Sequence, residues 1–288
     1  MGMIEIITQT VVFLFALNPT IASNPIPIGT GFVVQWPLPS DSKKFIPLIV
    51  TAKHVIGDKQ KVYARFSTKT GTSTVSFEYD LNKMKNENDY WEHSDDGVDI
   101  AIFRTLNFDQ VKYEALPQNI IASKEIFKNE NIQQTDNVKF PGLLINFLGS
   151  NQNYPILKDG SIALIPNEKV PMKYNVGRRE ITTNQELIFL NAISIPGLSG
   201  SPVFLWPGMR LKGNIFQIGS GNAYLIGVMH GFYPTIPRDT IKVETSEAKF
   251  LFQENSGVAI VFPSYRILEI FAQEAFKKRM DELFKMIK

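Results

Sequence analysis

Short apolar runs set the rhythm of this chain and most narrow its fold. Thirteen of them, at 11–16, 31–35, 46–51, 61–67, 74–79, 100–105, 143–149, 160–165, 187–191, 202–206, 213–218, 223–229 and 258–262, are rich in Val, Ile, Phe and Tyr. Runs this short, bounded by Gly, Pro and Asn, are strand signals. No long helical pattern separates them, which argues against βαβ units and for antiparallel sandwiches or barrels. The expected fold is all-β, and thirteen strands suit two six-stranded antiparallel β-barrels. A polar run at 128–137 divides the halves. The expected organisation is a first barrel over 1–125, a linker over 126–139, a second barrel over 140–262 and a helix over 263–288.

Only that last segment has a helical period. After Pro263-Ser264, apolar residues recur at Leu268, Phe271, Ala275, Met280, Leu283, Phe284 and Ile287. They form one stripe, with Lys277, Lys278, Arg279 and Lys285 off it. The stripe suits a helix docked on the barrel, or one offered to a regulatory protein partner or a membrane surface.

Composition removes several chemistries. The chain has no cysteine, so disulfides, a thiol nucleophile, zinc–thiolate sites and iron–sulfur clusters are excluded. A net charge of +2 is too small for a nucleic-acid footprint, and no nucleic-acid partner is expected. The apolar stretch 11–17 is too short to span a bilayer, and no Lys or Arg before Lys43 gives it the basic flank of a secretory signal. It reads as a buried strand. No transmembrane segment is expected; the expected location is cytoplasmic, although a secreted mature chain also fits the missing cysteines.

Three histidines shorten the search for reactive groups. His54 ends the apolar run Ile49-Val-Thr-Ala-Lys-His-Val-Ile56, His93 lies in a polar stretch, and His230 follows the run at 223–229. In Pro196-Gly-Leu-Ser-Gly-Ser-Pro202, Ser199 sits in a turn that its flanking glycines permit. That turn could be an ordinary hairpin, or it could present the Ser199 hydroxyl with the Gly197 and Ser199 N–H groups aimed at an oxyanion. Asp99, in Gly97-Val-Asp-Ile-Ala-Ile-Phe103, opens an apolar strand where a carboxylate needs a partner. An imidazole Nδ1–H would satisfy it and leave Nε2 as a base. Asp95 and Asp96 read as solvated, and with Asp99 they are too few for a calcium site. No metal or cofactor is expected. Gly219-Ser-Gly-Asn222 lies between two strands and reads as a hairpin turn, not a phosphate loop.

Taken in order, Thr51-Ala-Lys-His54, Val98-Asp-Ile-Ala101 and Gly197-Leu-Ser-Gly-Ser-Pro202 resemble the three signatures of chymotrypsin-fold (trypsin-like) serine proteases. The nearest flavour is the bacterial disulfide-free branch, similar to the HtrA/Deg-type and glutamyl endopeptidase groups. Gly29-Thr-Gly-Phe-Val33, Ile226-Gly-Val-Met-His-Gly231 and Ser256-Gly-Val-Ala-Ile260 resemble supporting strands, so the likeness runs from about residue 28 to 269. It implies a double barrel with a site in the crevice, built from His54, Asp99 and Ser199, with Gly197 and Ser199 N–H groups as the oxyanion hole. It also implies an extended polypeptide substrate paired with the strand at Met229, His230 and Gly231.

Two positions depart from that pattern. Leu198 replaces the Asp that pairs with a freed N-terminus in trypsin, so activation by pro-segment cleavage is not implied and packing must hold the oxyanion turn. Met229 stands where a Ser often supports the catalytic Asp, which removes one hydrogen bond; the glutamyl enzymes carry a His there, which disfavours a Glu-selective pocket. The implied pocket is lined by Ile193, Ser194 and Ile195, with Gly231 and Gly257 at its mouth. It has no acid at its base and suits a medium apolar side chain. Arg238, Lys242 and Lys249 in the loop 232–256 could instead recognise acids. His230 reads either as a substrate contact or as a surface residue.

An α/β-hydrolase is disfavoured, because the second glycine of its elbow is Ser201 and no Asp lies between Ser199 and His230. The expected activity is that of a serine endopeptidase working through an acyl-enzyme, with possible switching by a partner through 277–288. The rival is a latent protease-fold binding or sensor module.

Overall fold

The computed structural model describes residues 2–17, 25–38, 41–106, 109–212, 215–218, 223–234, 243–245, 248–250 and 255–287. Helix α1 (Met3–Gln9) leads into β1 (Val11–Leu17), whose first six residues are buried, as its apolar sequence requires. Then follow β2 (Pro25–Leu38), β3 (Asp41–Thr51), helix α2 (Lys53–Ile56), β4 (Lys61–Thr68), β5 (Thr74–Asp80), helix α3 (Leu81–Asn86), β6 (Tyr90–Glu92), β7 (Ala101–Arg104) and β8 (Val111–Lys112). These strands form one sheet in the order β5-β4-β1-β2-β3-β7-β6, with β8 against β4.

This sheet corrects the expectation of two closed barrels, because its ends do not pair. The outer edge of β7 is occupied by β6, through Tyr90↔Phe103, Trp91↔Ile102 and Glu92↔Ala101, so β5 finds no backbone partner there. Side chains bridge the gap instead. The Tyr79 ring of β5 stands edge-on to Phe103 at 5.2 Å, and its hydroxyl meets Thr105 Oγ1 at 2.5 Å.

The second half closes as expected. After helix α4 (Lys124–Asn129) come β9 (Asn137–Gly142), β10 (Ile156–Leu164), the hairpin β11 (Val170–Val176) and β12 (Arg179–Gln185), β13 (Ile188–Asn191) and β14 (Pro202–Leu205). The hairpins β15 (Met209–Lys212) with β16 (Ile215–Ile218) and β18 (Val243–Thr245) with β19 (Ala248–Phe250) flank β17 (Tyr224–Pro234), and β20 (Asn255–Pro263) ends the series. The barrel runs β10-β13-β20-β17-β14-β9. Residues 126–139 thus hold the end of α4 and the start of β9, and the run 143–149 is turn and loop. The segment at β9 alternates outward and inward, Asn137 exposed and Val138 buried. That period was the better strand signal. The turn at 219–222 lies outside the described residues.

The C-terminal segment forms two helices, α5 (Tyr265–Phe271) and α6 (Glu274–Ile287). Phe276 and Met280 are fully buried and Leu283 nearly so, in a cluster that joins both halves. Phe271, Met280 and Leu283 of the apolar stripe are thus used by the protein's own core, with Leu268 and Phe284 partly buried against it and Ala275 exposed. No helix among the described residues is long and apolar enough to cross a membrane.

A buried carboxylate pins α6 to the first sheet. Asp89 Oδ2 accepts from Arg104 Nε (2.8 Å) and Nη2 (2.6 Å), and Oδ1 accepts from Arg279 Nε (2.8 Å). Burial pushes this carboxyl up, but the guanidinium hydrogen bonds and charges outweigh it and hold its pKa below the ordinary value. Asp89→Ala should cost about 3 kcal/mol in urea denaturation, the low end for a broken buried pair, because both arginines keep some contact with water. The depressed pKa means this stabilisation is present above about pH 4 and is lost as pH falls further.

Candidate active site

Register brings His54 and Asp99 together. Strands β3 and β7 are antiparallel with Thr51 opposite Ala101, so His54, three residues beyond, and Asp99, two residues before, leave the sheet at the same end. One turn of helix, α2, follows at once and points the imidazole back. Lys53, buried beside it, donates from Nζ to the Asp96 carbonyl (2.5 Å) and carboxylate (3.0 Å), which ties down the loop that carries Asp99. Asp99 has no side-chain exposure. Its Oδ1 accepts the His54 backbone N–H at 2.8 Å, and its Oδ2 lies 2.6 Å from His54 Nδ1.

A second imidazole shares that oxygen. His230 Nδ1 lies 2.5 Å from Asp99 Oδ2, and the two rings are 4.9 Å apart. An ionised carboxylate only accepts, so both rings carry their proton on Nδ1. Burial pushes the Asp99 carboxyl up, while the charges and hydrogen bonds of His54 and His230 hold it well below the usual carboxylate range. The Tyr174 ring of β11 stands 5.0 Å from His230, and its hydroxyl donates to the Gly97 carbonyl at 3.2 Å.

This arrangement corrects two expectations. The His230 ring is turned inward and is not a surface group; it supplies the hydrogen bond to Asp99 that Met229 seemed to remove. Met229 is fully buried in the barrel core, and its backbone is already used: its carbonyl accepts from Gly200 N–H (2.8 Å) and its N–H donates to Ser201 (2.9 Å). It cannot pair with a substrate. The cause is a β-bulge in β17 between Met229 and Gly231, which exchanges the faces of neighbouring residues.

Ser199 lies in the turn between β13 and β14. Gly197 has φ +101°, and a Cβ there would stand 2.7 Å from the Leu143 carbonyl; Gly200 has φ +86° and faces the Thr30 carbonyl. Only glycine fits both places. Thr30 staples the turn, with Oγ1 donating to the Gly197 carbonyl (2.6 Å) and accepting from Leu143 N–H (2.9 Å). Leu198, fully buried, anchors it in the core. Packing and Thr30 thus hold the Ser199 turn. Among the described residues, the N–H groups of Gly197 and Ser199 make no hydrogen bond. Ser199 Oγ donates to the His230 carbonyl at 2.8 Å, and it is not bonded to His54.

The pocket residues divide. Ile193 is 55% exposed, so it rims the surface more than it lines a pocket; Ser194 is buried and Ile195 packs on the barrel core. Among the described residues, added Cβ atoms at Gly231 and Gly257 would meet nothing within 4 Å. Most of the loop 232–256 lies outside the described residues. Asp95 and Asp96 are exposed, as expected, and also partnered: Asp95 by Gln185 and Gly97 N–H, Asp96 by Lys53 and Arg179. His93 is structural, with Nε2 2.8 Å from Glu269 of α5. Only His54, Asp99 and His230 form a set with the donors of a metal site among the described residues, and each histidine places its Nδ1 on Asp99 Oδ2. Sequence reasoning missed Lys53, Thr30 and Tyr174. A Lys set in an apolar run beside a His, and a Thr between two glycines, were signals for the first two; the Met-Lys-Tyr-Asn alternation of β11 was the only one for Tyr174.

No protein-family model matches the chain, and no curated protein matches it. Among solved structures it is similar to an HtrA-type protease AlgW with decapeptide, at 11% sequence identity and a TM-score of 0.48. The alignment covers 96% of this chain and 66% of that one, so the chain spans about two thirds of its length.

Proposed function

We propose that this protein is a serine endopeptidase of the trypsin-like class, acting on extended polypeptides. One observation carries the reading: a fully buried carboxylate holds His54 by both its backbone N–H and its Nδ1, beside a serine whose turn leaves two N–H groups unbonded. Asp99 fixes the tautomer, so His54 Nε2 is the base that takes the Ser199 proton as Oγ attacks the peptide carbonyl. The Gly197 and Ser199 N–H groups receive the oxyanion. His54 then returns its proton to the leaving amine, and water attacking the acyl-enzyme repeats the sequence. The polypeptide enters as an added strand on the edge of β17 beyond Met229, with its side chain before the scissile bond toward Gly231 and Gly257.

The hydrogen bond from Ser199 to the His230 carbonyl favours a second reading, a latent protease-fold module. Labelling with a peptidyl phosphonate, whose backbone N–H can pair with the edge of β17, separates the two. The expected result is a covalent adduct on wild type, with no adduct on Ser199→Ala and a rate lowered by about 10⁴-fold or more on His54→Ala. A folded wild-type protein that fails to label would overturn the endopeptidase reading in favour of the latent module.

A further inference from the structure

We infer that His230 is a positioning residue that controls assembly of the triad: its ring clamps Asp99 while its carbonyl holds the Ser199 hydroxyl away from His54 until substrate arrives. The inference rests on the endopeptidase reading and adds a residue to it. Two bonds from one residue carry it, His230 Nδ1 to Asp99 Oδ2 at 2.5 Å and Ser199 Oγ to the His230 carbonyl at 2.8 Å.

The clamp follows from hydrogen-bond supply. Asp99 Oδ1 is used by the His54 backbone, and Oδ2 receives one Nδ1–H from each ring, so the buried carboxylate is fixed by three donors. Charge-assisted bonds to a fully buried carboxylate are strong and directional. Removing the His230 donor would let the carboxylate turn, and His54 would turn with it. The His230 ring is itself held by Tyr174 at 5.0 Å and Phe262 at 5.8 Å.

The hold on Ser199 follows from the strand edge. Strand β14 pairs with β17 only as far as Val228, and Gly200 N–H caps the next carbonyl, that of Met229. The His230 carbonyl is thus the first acceptor on this edge that no strand uses, and Ser199 occupies it. A carbonyl takes no proton, so the hydroxyl is inert there. A polypeptide added to this edge offers a backbone N–H to the same carbonyl. The displaced hydroxyl can rotate toward His54 Nε2, which makes the nucleophile only when substrate is aligned.

Two variants and a substrate pair test both halves. In His230→Asn the amide Nδ2 occupies the branch position of the imidazole Nδ1 and keeps the donor; His230→Leu keeps bulk without it. The Leu variant should lose about 10- to 100-fold in kcat with KM nearly unchanged, the value of one hydrogen bond to a charged group, and the Asn variant should recover most of it. Proton NMR of wild type should show two far-downfield Nδ1–H signals, and His230→Asn one. Equal kcat in Leu and wild type, or equal losses in Leu and Asn, overturns the clamp. For the hold, a peptide ester bearing the N–H is compared on wild type with an isostere carrying oxygen in its place. A drop of about 10-fold or more in the rate of acylation at saturation supports it, and a change confined to KM overturns it. Labelling of wild type by the peptidyl phosphonate in the same preparation shows that such a failure belongs to this inference and not to the endopeptidase reading.

Discussion

Asp99→Asn should lower kcat for peptide hydrolysis about 10⁴-fold while leaving KM nearly unchanged. The substitution keeps size but reverses the hydrogen-bond logic. Asn presents an NH₂ group where two Nδ1–H donors converge, so at least one ring must turn over its tautomer or swing away. If His54 moves its proton to Nε2, no base faces Ser199. A second imidazole on the same oxygen raises the conflict above that of a single pair. The loss should appear in acylation, measured with an active ester under saturating conditions. A drop below about 10-fold would remove Asp99 from the catalytic machinery. The variant should also change the pH dependence of stability. Because the folded pKa of Asp99 is depressed, the wild-type carboxylate stabilises the fold above about pH 4, and that stabilisation is lost as pH falls through the folded value. Denaturation midpoints of Asp99→Asn should therefore fall less steeply than those of wild type on acidification below pH 4.

Phe276→Ala should destabilise the protein by about 3–5 kcal/mol, measured by urea denaturation with an unchanged slope. The Phe276 ring is fully buried among Trp91 at 4.8 Å, Trp36 at 4.9 Å and Phe271 at 4.9 Å. Truncation removes three aromatic contacts and leaves a cavity between α6, β2 and β6. Met286→Ala, at a side chain 74% exposed on the same helix, should change stability by no more than about 0.5 kcal/mol. The contrast separates a core helix from one held in reserve for a partner. Equal small effects would mean that α6 contributes little to the core. The same packing predicts that deletion of 277–288, which removes Met280, Leu283 and the Arg279–Asp89 pair, acts on stability before it acts on regulation.

Much of the site was legible because it rests on local chemistry. A carboxylate at the head of an apolar strand demands a partner, and Asp99 has two. Glycines on both sides of a serine demand a turn that other residues cannot make, and Gly197 and Gly200 have positive φ. What escaped was non-local. Tyr174 reaches His230 from the hairpin of β11 and β12, a contact that no local pattern reports. The first sheet stays open because the three-residue strand β6 occupies the edge that β5 would need, a pairing that no local pattern reports.

By itself, then, the sequence determined that the chain is mainly β and that thiol chemistry is absent. These follow from residue type and from period-two patterning, which act over a few residues; the choice of His54, Asp99 and Ser199 as the proposed reactive groups rests on the resemblance of three short motifs to the trypsin-like signatures. The tertiary structure alone decided that one half closes and the other does not, that α6 completes the core, and that His230, not Met229, faces Asp99. The last decision turns on one bulged residue in β17. In a strand with period two, a shift of one position exchanges the buried face for the active-site face, and only the pairing of distant strands sets that register.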